Sequence, residues 1–441
     1  MPSPIDLVIT GGQAFVDGRL DSLDIAVSGG RTMAIGQPGA FDGQGAERID
    51  SRGLHVLPGV IDSHVHFREP GKENREDFES GTRSAVLGGV TCIFDMPNTL
   101  PSVTSKAALD DKLKRIAGRA WCDYALYLGA DGANTAALAE LENCFGVCGI
   151  KVFMSSSTTD LMVTDANELA AIMRTGRRIV SLHAEDDARI NERRWIAEEA
   201  KNVSVHGKWR DAQSAYLATE RAIRLARAAG RRIHILHVSS REEIDLIARN
   251  KDLVSCEVLP QHLTFFAPDC YAVLGSKAQQ NPPIREKEHQ DALWRAVIDG
   301  TADVIGSDHG PHTHEDKAQP YPNLSAGMPG TQTLVPLMLD YVAQGRLSLS
   351  RLVDLVCEAP ARIFGIAGKG GIKIGNHADF TLVDLKARRT ITNAWIASKV
   401  GWTAYDGRQV TGWPMGTIVR GRAVMSDGEV LANPSGQPAL F

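Results

Sequence analysis

Two patterns of apolar and polar positions divide the chain. From residue 1 to about 55, short β-prone runs (DLVIT, AFVDG, DIAVSG, RTMAIG) are cut by Gly, Asp and Pro, as in a small all-β unit. The pattern returns after the glycine-rich segment Gly368 to Gly375, in DFTLVDL, TIVRG and RAVMSDG. The two ends, 1–55 and 366–441, are therefore expected to pair into one small β-sandwich domain. Between them, over 56–365, apolar runs alternate with amphipathic stretches such as SKAALDDKLKRIA, SAYLATERAIRLARAA and REKEHQDALWRAVIDG, which predict helices. The apolar runs are HVLPGVIDSHVH, VTCIFDM, DYALYLG, GIKVFMS, RIVSLHAE, IHILHVS, LVSCEVLP and DVIGSDHG. Eight strand-helix units predict an α/β fold, a (β/α)8 TIM-like barrel. An open doubly wound sheet is the alternative, disfavoured because no GxGxxG turn follows the first run.

Composition narrows the function classes. At 441 residues the chain exceeds one ordinary core, which suits a barrel with an added domain. Its 48 basic and 53 acidic residues are interspersed, so no basic face points to nucleic acid or to an anionic membrane. The start MPSPIDLVIT lacks a charged leader, and no apolar run approaches the roughly 20 residues of a membrane span. A soluble, cytoplasmic protein with a small-molecule substrate is expected. No motif sets the oligomeric state, and a homodimer is left open. The seven scattered cysteines form no CxxC pair and read as reduced, mostly buried residues.

Candidate chemistry lies at the carboxyl ends of the predicted strands, where a barrel gathers its active site. His64 and His66 end the first strand at spacing two, so both rings leave one face and can grip one ion. Asp308, ending the eighth, can reach the same ion and serve as proton shuttle. Lys151, flanked by apolar residues in GIKVFM, is expected to lose its proton readily and to capture carbon dioxide as a carbamate bridging two cations. The other reading is a lysine whose head reaches out of the strand to water. His183 and His237, late in the fifth and sixth strands, complete a second ion site. Two divalent ions, zinc by ligand type, would activate a water near neutral pH.

Three further residues resemble a carboxylate clamp: Arg68 two positions beyond His66, Asn98 after the second strand, and His312 in SDHGPH. The other reading pairs Arg68 with a loop carboxylate, Glu69 or Glu73. His234 is expected to pack in the core, His309 to be structural, and His206, His289 and His314 to be solvated. The stretch from Gly310 to Gly330 is a candidate lid.

From PGVIDSHVH to NHADFTLVD, the chain resembles the amidohydrolase superfamily, in particular its cyclic-amidase branch of dihydroorotases, hydantoinases and allantoinases. The resemblance implies metal ligands at His64, His66, carboxylated Lys151, His183, His237 and Asp308. Within the branch, HxHxREPG, MPNT, NPPIR and SDHxPH are similar to dihydroorotases, which implies ring opening of dihydroorotate to N-carbamoyl-aspartate in pyrimidine biosynthesis. Asn281 is then expected to contact the ring, with Ala326 and Gly327 lining its pocket through backbone groups. Gly310 departs from a common alanine and Gln261 from a common histidine, and many dihydroorotases carry aspartate where Lys151 stands. Hydantoinase or allantoinase activity is the alternative in the same class, and a non-catalytic barrel scaffold the alternative outside it.

Overall fold

The computed structural model describes residues 5–155, 161–431 and 433–441; the first four residues of the expected N-terminal unit lie outside the described residues. Its centre is an eight-stranded sheet in chain order: β1 (Val60–Val65), β2 (Val90–Asp95), β3 (Asp123–Gly129), β4 (Val147–Phe153), β5 (Val180–His183), β6 (Ile233–Ile235), β7 (Val254–Val258) and β8 (Val304–Ile305). Every neighbouring pair runs parallel. The ring closes just past β8, where Val65 bridges His309 and Ser307 N–H donates to Asp62 Oδ1 at 3.0 Å. With helices following the strands, this is the (β/α)8 barrel predicted by the alternation.

The strands read as unbroken apolar runs because barrel strands are covered on both faces: all six residues of β1 and all seven of β4 are buried. The helix Ala212–Ala229 shows the complementary pattern. Its buried Ala215, Ala218, Ala222 and Ala226 recur every three or four residues, and these small side chains let it lie close to the sheet. Asp211 caps its first turn by accepting from Ser214 N–H, and Gly230, at φ +64°, ends it. No helix among the described residues is long and apolar enough to cross a membrane.

One expected strand is two. HVLPGVIDSHVH divides at Gly59: His55–Pro58 pairs antiparallel with Phe380–Thr390 in a seven-stranded terminal sheet, and β1 starts at Val60. A Cβ on Gly59 would lie 2.3 Å from Thr91 Oγ1 and 2.7 Å from Asp379 Cβ, so the crossing between the sheets admits no side chain. A four-stranded sheet (Leu7–Thr10, Asp24–Ser28, Arg31–Gly36, Glu47–Asp50) faces the seven-stranded one. Leu7, Ile9, Ile25 and Val27 share a core with Val56, Phe380, Leu382 and Ile418, so the two chain ends form one sheet-rich unit.

Ile61, Phe94, Tyr127 and Cys148 pack with Phe364 and the terminal Phe441 in an apolar cluster. Phe94 meets Phe364 edge-on at 5.2 Å between ring centres. Lys151 and His183 lie toward the carboxyl ends of β4 and β5. Six of the seven cysteines are buried and all are free thiols.

Candidate metal centre and substrate pocket

The end of β1 places His64 and His66 on one face, and Nε2 of each lies 3.2 Å from Asp308 Oδ1. Among the described residues these three form a group whose ligand atoms all lie within 4.8 Å of one another. The cluster continues through His237, whose ring centre is 5.4 Å from that of His64 and 4.6 Å from that of His183. His183 Nδ1 faces His237 Nε2 at 2.9 Å. Lys151 does not reach out of β4: it is buried, its Nζ has no hydrogen-bond partner among the described residues, and it lies 4.5 Å from the centre of the Phe153 ring. All six residues line one cavity of about 260 Å³.

Three of them stand just outside their strands: β1 ends at Val65, so His66 is the first residue of the loop after it. β6 ends at Ile235 and β8 at Ile305, so His237 and Asp308 lie in the following loops. Both have left-handed backbone, φ 39° and 46°, as does Arg68 at 25°. Non-glycine residues rarely adopt this conformation, and it persists where the surroundings over-determine it. Here it turns side chains from three loops into the same cavity.

Partners around the histidines fix which ring nitrogen faces inward. His64 Nδ1 contacts Glu257 Oε1 at 2.7 Å, His66 Nδ1 contacts Asn98 Oδ1 at 2.7 Å, and His183 Nε2 contacts Glu185 Oε2 at 2.8 Å. An acceptor holds the proton on the nitrogen it touches and leaves the opposite nitrogen with a lone pair. The inward nitrogens are then His64 Nε2, His66 Nε2 and His183 Nδ1. Gly306 makes the first contact possible: a Cβ there would lie 2.2 Å from Glu257 Oε2 and 3.2 Å from His64 Cβ.

Electrostatics keep these groups ready for a cation. Burial pushes His66 down to about 3 and His237 well below the ordinary histidine range, and lowers His183, so their rings are neutral at pH 7. Burial also brings the Lys151 amine down to about 7. For Asp308, burial acts upward, but His64, His66 and Lys151 outweigh it and hold the carboxyl well below its usual range. Glu185 behaves alike, with Arg210 as the counter-charge, Nε to Oε1 3.1 Å. His64 Nε2, His237 Nδ1 and Lys151 Nζ are buried without hydrogen-bond partners among the described residues. Neutral donors turned inward, an ionised carboxylate and orphaned nitrogen atoms fit a divalent metal centre.

The same cavity is lined by Arg68, Asn98, Asn281, Ala326 and Gly327. Arg68 does not pair with its neighbours: Glu69 binds Arg119 Nη1 at 2.6 Å, and Glu73 Oε1 accepts from Gly71 N–H at 3.0 Å. Arg68 is 5% exposed, its Nε has no hydrogen-bond partner among the described residues, and its Nη2 lies 3.1 Å from His312 Nε2. His312 is fully buried beside it, with Ala326 O 2.9 Å from the same nitrogen.

Two histidines expected to be solvated are buried. His206 lines the cavity, its Nε2 2.9 Å from Asn281 Oδ1 and its Nδ1 3.2 Å from Tyr321 OH, and so orients Asn281. His289 accepts from Arg241 N–H at 3.1 Å under the capping turn of Arg241–Ala248. Both stretches are locally polar, and only long-range packing covers them. His314 is exposed, His309 is buried between Glu76 and Gly330 N–H, and His234 packs against Phe364. Sequence reasoning passed over Glu257, Glu185 and Arg210. The first carried a readable signal, a lone carboxylate inside the apolar run SCEVLP.

Known proteins resemble the chain over most of its length. The model of the amidohydrolase family matches residues 55–424. A dihydroorotase of Halobacterium salinarum is 35% identical over 419 residues, covering 94% of this chain and 96% of that protein. An allantoinase of Rubrobacter xylanophilus is 36% identical over 447 residues, covering 99% and 97%. Among solved structures, an L-hydantoinase (dihydropyrimidinase) from Arthrobacter aurescens superposes with a TM-score of 0.94 at 31% identity, covering 99% of this chain and all of that one.

Proposed function

The chain belongs to the amidohydrolase family, as a cyclic amidohydrolase of the hydantoinase, dihydroorotase and allantoinase type, and within that type we propose that it is a dihydroorotase. The observation that carries this reading is the buried Arg68 guanidinium, which opens onto the cavity of the histidine cluster with no carboxylate of its own among the described residues. A buried cation without a counter-charge is costly, and a substrate anion offsets that cost. Dihydroorotate carries a ring carboxylate; hydantoin and allantoin carry none. Arg68, beside His312 and with Asn98 on the same wall, would hold that carboxylate and so place the ring amide before Asp308.

Six residues would hold the metal pair, for which we propose zinc: His64, His66 and Asp308 on one side, His183 and His237 on the other, and Lys151 between. Carbon dioxide would add to the neutral Lys151 amine to give a carbamate with two ligand oxygens. When bound, the metal pair supplies Lewis acidity to the attacking water and to the amide carbonyl. The chain's own contribution is positional and protolytic. Asp308, ionised and 13% exposed at its side chain, takes a proton from the water that attacks C4 and delivers it to N3 as the C4–N3 bond breaks. N-carbamoyl-aspartate results, and the reverse sequence closes the ring with loss of water.

The close superposition on an L-hydantoinase supports a second reading, a hydantoinase acting on rings without a carboxylate. Assaying dihydroorotate, hydantoin and allantoin side by side with the purified protein separates the two. Turnover of dihydroorotate well above the others is expected; hydrolysis of hydantoin or allantoin alone would replace the proposal.

A further inference from the structure

Behind the proposed clamp lies a second buried cation that the mechanism above does not use. Lys317 is 2% exposed, and among the described residues no carboxylate pairs with it. Its Nζ donates to two backbone carbonyls, Gln279 O at 2.9 Å and Ser325 O at 3.0 Å. Its neighbour Asp316 is engaged elsewhere, with Arg75 Nη2 at 2.6 Å and with Thr313 N–H at 3.0 Å. Gln279 and Ser325 both line the substrate cavity, on separate segments of chain. Gly327 N–H adds a hydrogen bond to the same Gln279 carbonyl at 2.9 Å. Between Ser325 and Gly327 sits Ala326, whose carbonyl contacts His312.

We propose that Lys317 is a positioning residue for an anionic substrate: its ammonium clasps the Gln279 wall to the Ser325–Gly327 roof and adds positive charge behind Arg68. Two carbonyls alone could be satisfied by water or by a neutral donor. A cation buried without a carboxylate, beside another such cation, is the arrangement that a bound anion completes. This rests on the reading of a carboxylate-bearing ring.

The charge is conditional. Burial brings the Lys317 amine down to about 7, with Asp316 acting upward and Arg68 downward. The other charged or titratable groups around it are Arg75, paired with Asp316; His312, which burial and Arg68 keep neutral; exposed His314 on its own helical turn; and Lys277, across the Trp402 ring. Below that value the ammonium holds both carbonyls and attracts the substrate anion. Above it the neutral amine does so more weakly, and KM rises.

The test measures KM and kcat for dihydroorotate from about pH 6 to about pH 9 in the wild-type holoenzyme, Lys317→Met and Lys317→Arg. Lys317→Met should raise KM about tenfold at the acid end with a much smaller change in kcat, the size expected for losing a buried charge near an anion at an effective dielectric of about 20. Wild-type KM should climb with pH toward the Met value, whereas Lys317→Arg, charged throughout, should keep KM low at the alkaline end. If Lys317→Met fails to fold, binding of the unreactive ring carboxylate orotate to the wild type across the same range gives the readout, and a flat profile overturns the inference. Equal KM in wild type and Lys317→Met, or loss confined to kcat, also overturns it. A wild type that turns over no dihydroorotate overturns instead the functional reading beneath it.

Discussion

Replacing Arg68 by alanine separates recognition of the ring carboxylate from the chemistry beside it. Arg68 is 5% exposed, lines the cavity and touches His312, so a carboxylate docked there would exchange hydrogen bonds with a cation largely withdrawn from water. Truncating one member of such a buried charge pair costs about 2–5 kcal/mol. The lower bound alone is about a 30-fold loss in kcat/KM for dihydroorotate. Most of it should appear in KM, because the carboxylate stays bound from ground state to transition state. The fold should not suffer. Arg68 has no carboxylate partner among the described residues, and burial lowers its guanidinium to about 10, a sign that the folded protein tolerates this charge at a cost. Removing it should leave Tm unchanged or raise it. The assay follows ring opening of dihydroorotate and of a neutral cyclic amide, with metal content and a thermal melt of each protein. Undiminished kcat/KM for dihydroorotate, or an equal fall for the neutral ring, would refute the clamp.

Asp308→Asn should lower kcat by a factor of about 10²–10⁴, the range for loss of a positioned proton carrier, while orotate still binds; substantial residual turnover would remove Asp308 from that role. With its amine near 7, Lys151 is roughly nine-tenths neutral at about pH 8, against well under one per cent for an ordinary lysine, so labelled bicarbonate should give a carbamate carbon signal that Lys151→Ala lacks. Raising the pH from about 6 to about 8 should strengthen that signal, because carbon dioxide adds only to the neutral amine; an identical spectrum from the variant would count against the modification. Gly306→Ala should lower stability by about 1–3 kcal/mol and reduce retained metal, because the new methyl group must displace Glu257 from His64. A normal melt and metal content would show that Glu257 moves aside at no cost.

The barrel was legible because of its symmetry of burial. Parallel strands covered on both faces become continuous apolar runs, and each of the eight runs overlaps one strand of the ring. The same property concealed the break at Gly59. A strand of the terminal sheet and a strand of the barrel, both buried, join without a polar residue between them, and only crowding by Thr91 and Asp379 marks the crossing. The apparent position of two functional groups has a related cause. His237 and Asp308 read as strand ends because apolar residues precede them, yet they stand in loops with left-handed backbone, a conformation that no hydrophobic pattern encodes.

What the pattern could not supply is pairing at a distance. Inward-pointing histidines are set by alternation along one strand, a local property, whereas the partner that fixes a tautomer can come from anywhere around the ring: His64 and Glu257 are 193 residues apart. His206 reaches Asn281 across 75 residues and Tyr321 across 115, from a short helical turn with no apolar face to betray its burial. Glu257 nonetheless differs from His206 in kind. A carboxylate in a five-residue strand buried throughout cannot be left without a partner at acceptable cost, so its presence in SCEVLP already demanded a proton donor or a cation inside the barrel. Once β7 and β1 are counted as members of one ring, the unpaired nitrogens of the histidines ending β1 are candidates to answer it. Charged residues within runs that should be wholly apolar therefore point to the supports of a site, as histidines at the strand ends point to the site itself.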